Sequence, residues 1–146
     1  MILSVMISLH SCSSTKINRL EGQWQLFWID HLDDENIYLW EFANDGTFAI
    51  VQFTPPTPTT PGTKSVLIRA SYETRAEFNK AVVRIFDVQN QHSSGFNQLS
   101  LVDQASYDVD WMILEVDDEV LRIGSDDTNQ HNGGAGFVIR EFTKVQ

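Results

Sequence analysis

The sequence predicts an all-β domain, a sandwich or a barrel of about nine short antiparallel strands with no convincing helix. Three observations predict it. From Gln23 onward the apolar residues recur with a period of two, the side-chain period of a strand. Polar clusters rich in Gly, Pro, Asn and Asp interrupt that pattern at short intervals. No apolar stripe at helical spacing occurs anywhere. Many short strands with regular turns mark a layered or closed β fold.

The elements follow in order. Trp24, Leu26 and Trp28 alternate with Gln23, Gln25 and Phe27 in the first strand. Tyr38, Trp40 and Phe42 alternate with Leu39, Glu41 and Ala43 in the second. Asn44-Asp45-Gly46 is a tight-turn sequence in which glycine can take positive φ, so residues 37–53 read as a hairpin. All four prolines fall within residues 54–62, and proline cannot donate to a ladder, so that stretch is a loop. Ser65–Glu73 and Ala81–Val88 are the next strands, with a polar turn or a single helical turn over Thr74–Lys80 between them. Gln89–Gly95 reads as a polar loop, Phe96–Val102 and Asp108–Val116 as strands. Asp117-Asp118 turns into a strand over Glu119–Gly124, Ser125–Gly136 reads as a loop, and Phe137–Val145 is the last strand. Pairs such as Val82-Val83 and Ile113-Leu114 are apolar on both faces, and periodicity does not say what their second face covers.

A chain of 146 residues is one domain. By size scaling it buries about two-thirds of its unfolded surface, enough to stand without staples. A 42% apolar and 21% charged composition is that of a globular protein, not a disordered one. The net charge of −10 excludes a nucleic-acid footprint, which needs a basic face, and disfavours adhesion to an anionic membrane by charge. The single cysteine, Cys12, excludes an internal disulfide and a four-cysteine zinc site.

Ile2–Leu9 is an apolar run far short of a membrane span, with the length of a secretory h-region. It runs into Leu9-His10-Ser11-Cys12. This resembles a bacterial lipobox, with an aliphatic residue at −3, a small one at −1 and the cysteine that becomes lipidated. No Lys or Arg precedes the run, and only residues 1–11 precede the cysteine. The resemblance implies a partial signal segment over residues 1–11, a lipidated Cys12, a tether over 12–19 and a folded domain over 20–146. The competing reading packs Ile2–Leu9 on the body and buries Cys12 as a small side chain.

The Leu20-Glu21-Gly22-Gln23-Trp24 stretch is similar to the G-x-W signature of lipocalin-like β-barrels. Trp40-Glu41-Phe42 followed by Asn44–Phe48, the DDEVLRI stretch at 117–123 and the closing FVIREF at 137–142 resemble small lipocalin-like lipoproteins of Bacteroidetes-type bacteria. The resemblance spans residues 20–145 and implies a single antiparallel up-and-down barrel of about eight or nine strands. It also implies that Arg140, on the last strand, lies over Trp24 and that Gly22 gives the chain room beneath the barrel. Gly22, Trp24 and Arg140 would then be architectural. The alternative places Arg140 in water. The second and third lipocalin motifs do not align, which bears on the ligand cavity more than on the barrel.

Chemistry is sparse. His10, His31, His92 and His131 have no metal-ligand spacing and read as exposed loop residues. The acidic turns Asp30/Asp33/Asp34/Glu35, Asp117/Asp118/Glu119 and Asp126/Asp127 match no calcium-loop spacing. Gly133-Gly134-Ala135-Gly136 precedes a strand, so it lacks the helix N-terminus that phosphate binding uses. No nucleophile or acid–base constellation is readable, so the chain is not expected to be an enzyme or to need a metal or cofactor. The aromatics remain. Trp28, Trp40, Phe48, Phe53, Tyr72, Phe86 and Trp111 all fall in strands, where they either line a cavity for an apolar ligand or fill a dry core. The expected function is non-covalent carriage of a small apolar or amphipathic molecule by a protein anchored to the bacterial envelope. The alternative is an interaction lipoprotein with a filled barrel whose loops 54–64 and 125–136 bind another envelope protein.

Overall fold

A computed structural model describes residues 13–27, 37–77, 80–92, 95–98, 110–127 and 136–146. The expectations for residues 1–11, Cys12, Trp28, His10, His31, His131 and the acidic turn at 30–35 lie outside the described residues. The described residues form nine strands: β1 Gly22–Leu26, β2 Ile37–Phe42, β3 Thr47–Thr54, β4 Thr63–Glu77, β5 Lys80–His92, β6 Gly95–Gln98, β7 Asp110–Val116, β8 Val120–Asp127 and β9 Gly136–Lys144. They form one antiparallel sheet in the order β4-β3-β2-β1-β9-β8-β7-β5-β6, and a further β4–β5 pairing closes it into a ring. The upper part of β5 pairs with β6 and its lower part with β7. The up-and-down barrel expected from the sequence is therefore the fold.

The period-two pattern sets the inside of the ring. Trp24, Trp40, Phe42, Phe48, Ile50, Ile68, Val83, Ile85, Val88, Trp111, Ile113, Leu121, Ile123 and Phe142 form one buried cluster. Strand irregularities keep apolar residues inward where plain alternation would not. Between Arg69 and Ser71 of β4 the register with β5 shifts, and Asp87 takes φ 53° there. Asp tolerates this left-handed conformation better than most residues. The extra residue turns both Ile85 and Val88 into the core. Val82, in contrast, is buried outside that cluster, which is what its apolar pairing with Val83 left open.

Three boundaries differ from the sequence reading, each for the same reason. Polar residues stay in a ladder as long as a partner strand continues. Thr74, Arg75, Ala76 and Glu77 pair with Val83, Val82, Ala81 and Lys80 where a turn was expected. Arg75 joins Glu77 and Asp110 by ion pairs there. Gln89–His92 pairs with β6 instead of looping. Ser125–Asp127 continues β8 against Phe137, Val138 and Gly136.

A fourth difference is a helix, α1, over residues 13–19, where a tether was expected. Seven mostly polar residues carry no helical signature of their own, so tertiary contacts hold it. Ile17 packs on the core, Ser13 and Leu20 are buried, and Lys16 Nζ donates to the carbonyls of Ile113 (3.4 Å) and Leu114 (3.2 Å). Those carbonyls lie at the register shift of β7, where the ladder leaves acceptors open. The α1 helix thus covers the end of the barrel that also holds the short β2–β3 and β7–β8 turns. At the opposite end β1, β3 and β8 finish and β2, β4 and β9 begin.

The two short turns are each fastened by an aspartate. Asp45 accepts from the backbone N–H and the hydroxyl of Thr47, and Asp117 from the N–H groups of Glu119 and Val120. These bonds favour the charged carboxylates and hold both pKa values below the ordinary Asp value, with the Thr47 hydroxyl the largest cause for Asp45 and the Glu119 N–H for Asp117. Folded pKa values lowered in this way contribute stability above the unfolded Asp pKa of about 3.9, and that contribution is lost as pH falls through the folded values. An Asp45→Asn/Asp117→Asn variant is expected to show a lower urea midpoint than wild type at pH 7. The gap should narrow progressively below about pH 4. A gap that is constant down to pH 2 in parallel urea titrations would contradict the charge-based assignment.

Candidate functional site

Four strands bring four of the seven predicted aromatic candidates to the interior: Trp40 on β2, Phe48 on β3, Tyr72 on β4 and Trp111 on β7. Trp40 is the hub. Its ring meets Phe48 edge-on at 5.3 Å, Trp111 edge-on at 6.2 Å and Phe142 tilted at 5.0 Å. Such arrangements suit the ring quadrupoles. Tyr72 packs edge-on against Phe42 at 5.2 Å and donates its hydroxyl to the Ala43 carbonyl at 2.6 Å. Partial burial raises the Tyr72 pKa, with Glu21 and Asp45 adding to the shift, so it is a neutral donor that ties β4 to the β2–β3 turn. Phe53 and Phe86 are half-buried and stand outside the interior cluster. Phe86 follows the inward residues Ala81, Val83 and Ile85, so alternation itself puts it on the other face; the Asp87 irregularity then returns Val88 to the interior.

The G-x-W stretch closes the covered end. Trp24 is fully buried and donates Nε1–H to the Leu20 carbonyl at 2.8 Å. The cation over its indole is Lys144, not the expected Arg140. Lys144 Nζ lies 4.2 Å from the ring centroid and donates to the Glu21 carbonyl at 2.7 Å. The register explains the exchange: Trp24 is the cross-strand partner of Lys144, and Leu26 that of Phe142. Gly22, at φ 131°, makes room for it, since a Cβ there would lie 2.9 Å from Lys144 Cε. The close approach expected of Gly22 is therefore to the lysine side chain.

Arg140 is two positions along the same inward row, beyond Phe142. Its guanidinium carbon lies 5.7 Å from the Trp40 ring centroid and 5.5 Å from that of Trp111. Its cross-strand partner is the buried Ile123. Trp111 is 5% exposed, and its Nε1–H is buried with no hydrogen-bond partner. Native interiors seldom leave such a donor unmet. Ser125 is buried one inward step beyond Ile123 on β8. A guanidinium, an indole N–H and a hydroxyl-bearing residue thus occupy the otherwise aromatic and aliphatic interior. Sequence reasoning placed Arg140 at the other end of the barrel and gave Trp111 no polar role. The shared face of Arg140, Phe142 and Lys144 was readable from alternation, but the β1–β9 register that decides which cation meets which tryptophan was not.

Among the described residues no group of three His, Cys, Asp or Glu side chains could hold a metal ion. None of their helices is long and apolar enough to cross a membrane. Comparison with protein-family models and with curated proteins finds no match to this chain.

The assignment of Lys144 to Trp24 has a direct consequence. Replacing Lys144 by Met keeps the stem but removes the charge over the indole and the bond to Glu21. The expected loss is about 1–2 kcal/mol in urea denaturation. An unchanged midpoint would show that the lysine does not fasten the covered end.

Proposed function

We propose that this chain is a lipocalin-like carrier that binds a small amphipathic molecule non-covalently inside its barrel, and that lipidation of Cys12 anchors it in a bacterial envelope. One observation carries the binding reading: Trp111 keeps a buried, unpartnered N–H beside Arg140 in an otherwise apolar interior. A barrel filled only to be rigid gains nothing from an unmet donor, which costs roughly 1–3 kcal/mol. A ligand with an apolar body and a polar end accounts for it, because aromatic lining supplies burial and a few polar groups supply orientation. The direction of entry follows from the covered end. The α1 helix and Trp24 occupy one mouth, so a ligand enters by the other.

The anchor reading rests on the lipobox resemblance. It gains a geometric corollary from α1, which begins at residue 13 and packs on the covered end. An acylated Cys12 would hold that end to the bilayer and turn the open end away from it. More than one acyl chain would be needed for stable attachment. A second reading, docking of a partner protein, draws on Phe27 and Ile139, which are 59% and 47% exposed near the β1–β9 seam.

Native mass spectrometry of protein purified from its own host tests carriage. A co-purifying small molecule, released on denaturation, is expected. Repeated absence of one, together with no change in tryptophan fluorescence on adding hydrophobic probes, would overturn the reading. Cys12→Ala should move the protein from the membrane fraction to the soluble fraction, and unchanged retention would refute the anchor.

A further inference from the structure

The proline loop between β3 and β4 serves neither the barrel interior nor the carrier reading. At its base Thr54 pairs with Thr63. A Cβ on Gly62 would lie 3.1 Å from both the Thr54 carbonyl oxygen and Pro56 Cδ, so the two legs are pressed together above that pair. At the tip Thr57 N–H donates to the Thr60 carbonyl at 2.9 Å. The Thr57 hydroxyl accepts the Thr60 N–H at 3.0 Å and bonds the Thr60 hydroxyl at 2.6 Å. The loop is therefore a stiff, folded projection, and residues 56–64 are exposed on it. No charged side chain occurs from 54 to 63, although the chain carries a net charge of −10.

An exposed loop of this kind has three uses: strand addition, polyproline docking, or reaction at a side chain. Strand addition needs outward backbone donors. From 55 to 61 the prolines have none, and the N–H groups of Thr57, Thr59 and Thr60 all turn inward to the Thr57 hydroxyl or the Thr60 carbonyl. Polyproline docking needs an extended run of several residues. The Pro55/Pro58 and Pro58/Pro61 pairs have the spacing, but both share Pro58, where the bond from Thr57 to Thr60 folds the chain back. Side-chain hydroxyls are left. Those of Thr57 and Thr60 hold each other. The Thr59 hydroxyl is 3.4 Å from Thr57 Oγ1, outside the usual O–H···O range of about 2.5–3.0 Å, so it is the least held of the three. It also stands at the apex, between Pro58 and Pro61. Threonine interleaved with proline is the composition of O-glycosylated segments, since proline keeps such hydroxyls out of helices and sheets.

We infer that Thr59 is the acceptor of an O-linked sugar. In that transfer Thr59 Oγ1 attacks the anomeric carbon of a sugar activated as a phosphate ester. The bond from that carbon to the phosphate oxygen breaks, the phosphate leaves with the electron pair, and the hydroxyl proton passes to a base of the host transferase. The inference is independent of what the barrel holds, so a failure of carriage leaves it standing. Protein purified from its own host tests it. Trypsin releases the loop within the peptide of residues 20–64, since no Lys or Arg falls between Arg19 and Lys64. Mass spectrometry of that peptide is expected to show a mass above that of the sequence by whole sugar residues, and electron-transfer fragment ions should place them on Thr59. Thr59→Val, expressed in the same host, should return the peptide to its sequence mass. The tip stands clear of the core, so near-UV circular dichroism of this variant should match wild type. A wild-type peptide at its sequence mass would overturn the inference. An increment of phosphate or acyl mass would overturn the class of modification, and a sugar retained in Thr59→Val would overturn the site.

Discussion

Closure of the sheet is the constraint on which everything else depends. Two pairings close it: β1 with β9, and β4 with β5. An open nine-stranded sheet would leave two rows of backbone donors and acceptors exposed and would bury one face only if something else covered it. Closure pairs those edges and gives the inward residues of every strand a single shared interior. That is why Trp40 on β2, Trp111 on β7 and Phe142 on β9, far apart in the chain, form one aromatic group. It is also why a cation on the last strand can reach tryptophans on the second and seventh.

The interior row of β9 shows how one strand serves both ends. Phe142 fills the middle against Trp40. Lys144, on one side of it, fastens Trp24, the Glu21 carbonyl and the space left by Gly22. Arg140, on the other side, reaches Trp40 and Trp111. Side chains four apart on a strand share a face about 13 Å apart, so the two cations serve different neighbours despite their common direction. The lysine is part of the architecture. Its compact head suits a single carbonyl and a ring face.

Most of the fold was legible in the sequence because its determinants are local. Alternation at 23–26 and 37–42, the Asn44-Asp45-Gly46 turn and the proline cluster each depend on a few neighbouring residues. Illegible features depended on partners distant in the chain. The polar ends of β4, β5 and β8 are strands only because another strand runs beside them. The α1 helix forms where Ile17 and Lys16 find the barrel's end. The candidate site divides in the same way. Trp40, Phe48, Tyr72 and Trp111 were legible as interior aromatics from their strand positions. Phe86 lies on the face opposite Ala81, Val83 and Ile85, and what no local signal announced is the irregularity at Asp87 that turns Val88 inward. The polar pairing of Arg140 with Trp111 needed the β1–β9 register, which fixes Lys144 opposite Trp24 and leaves Arg140 to the other tryptophans.

The closed ring is most directly tested by cross-strand nuclear Overhauser effects in solution. Backbone contacts between Trp24 and Lys144 and between Leu26 and Phe142 should appear, together with contacts between Tyr72 of β4 and Ile85 of β5. Both sets in one spectrum are the result this account predicts. Strong contacts within the β1–β4 and β7–β9 segments, with the β1–β9 or β4–β5 set missing, would describe an open or two-layered sheet and contradict it.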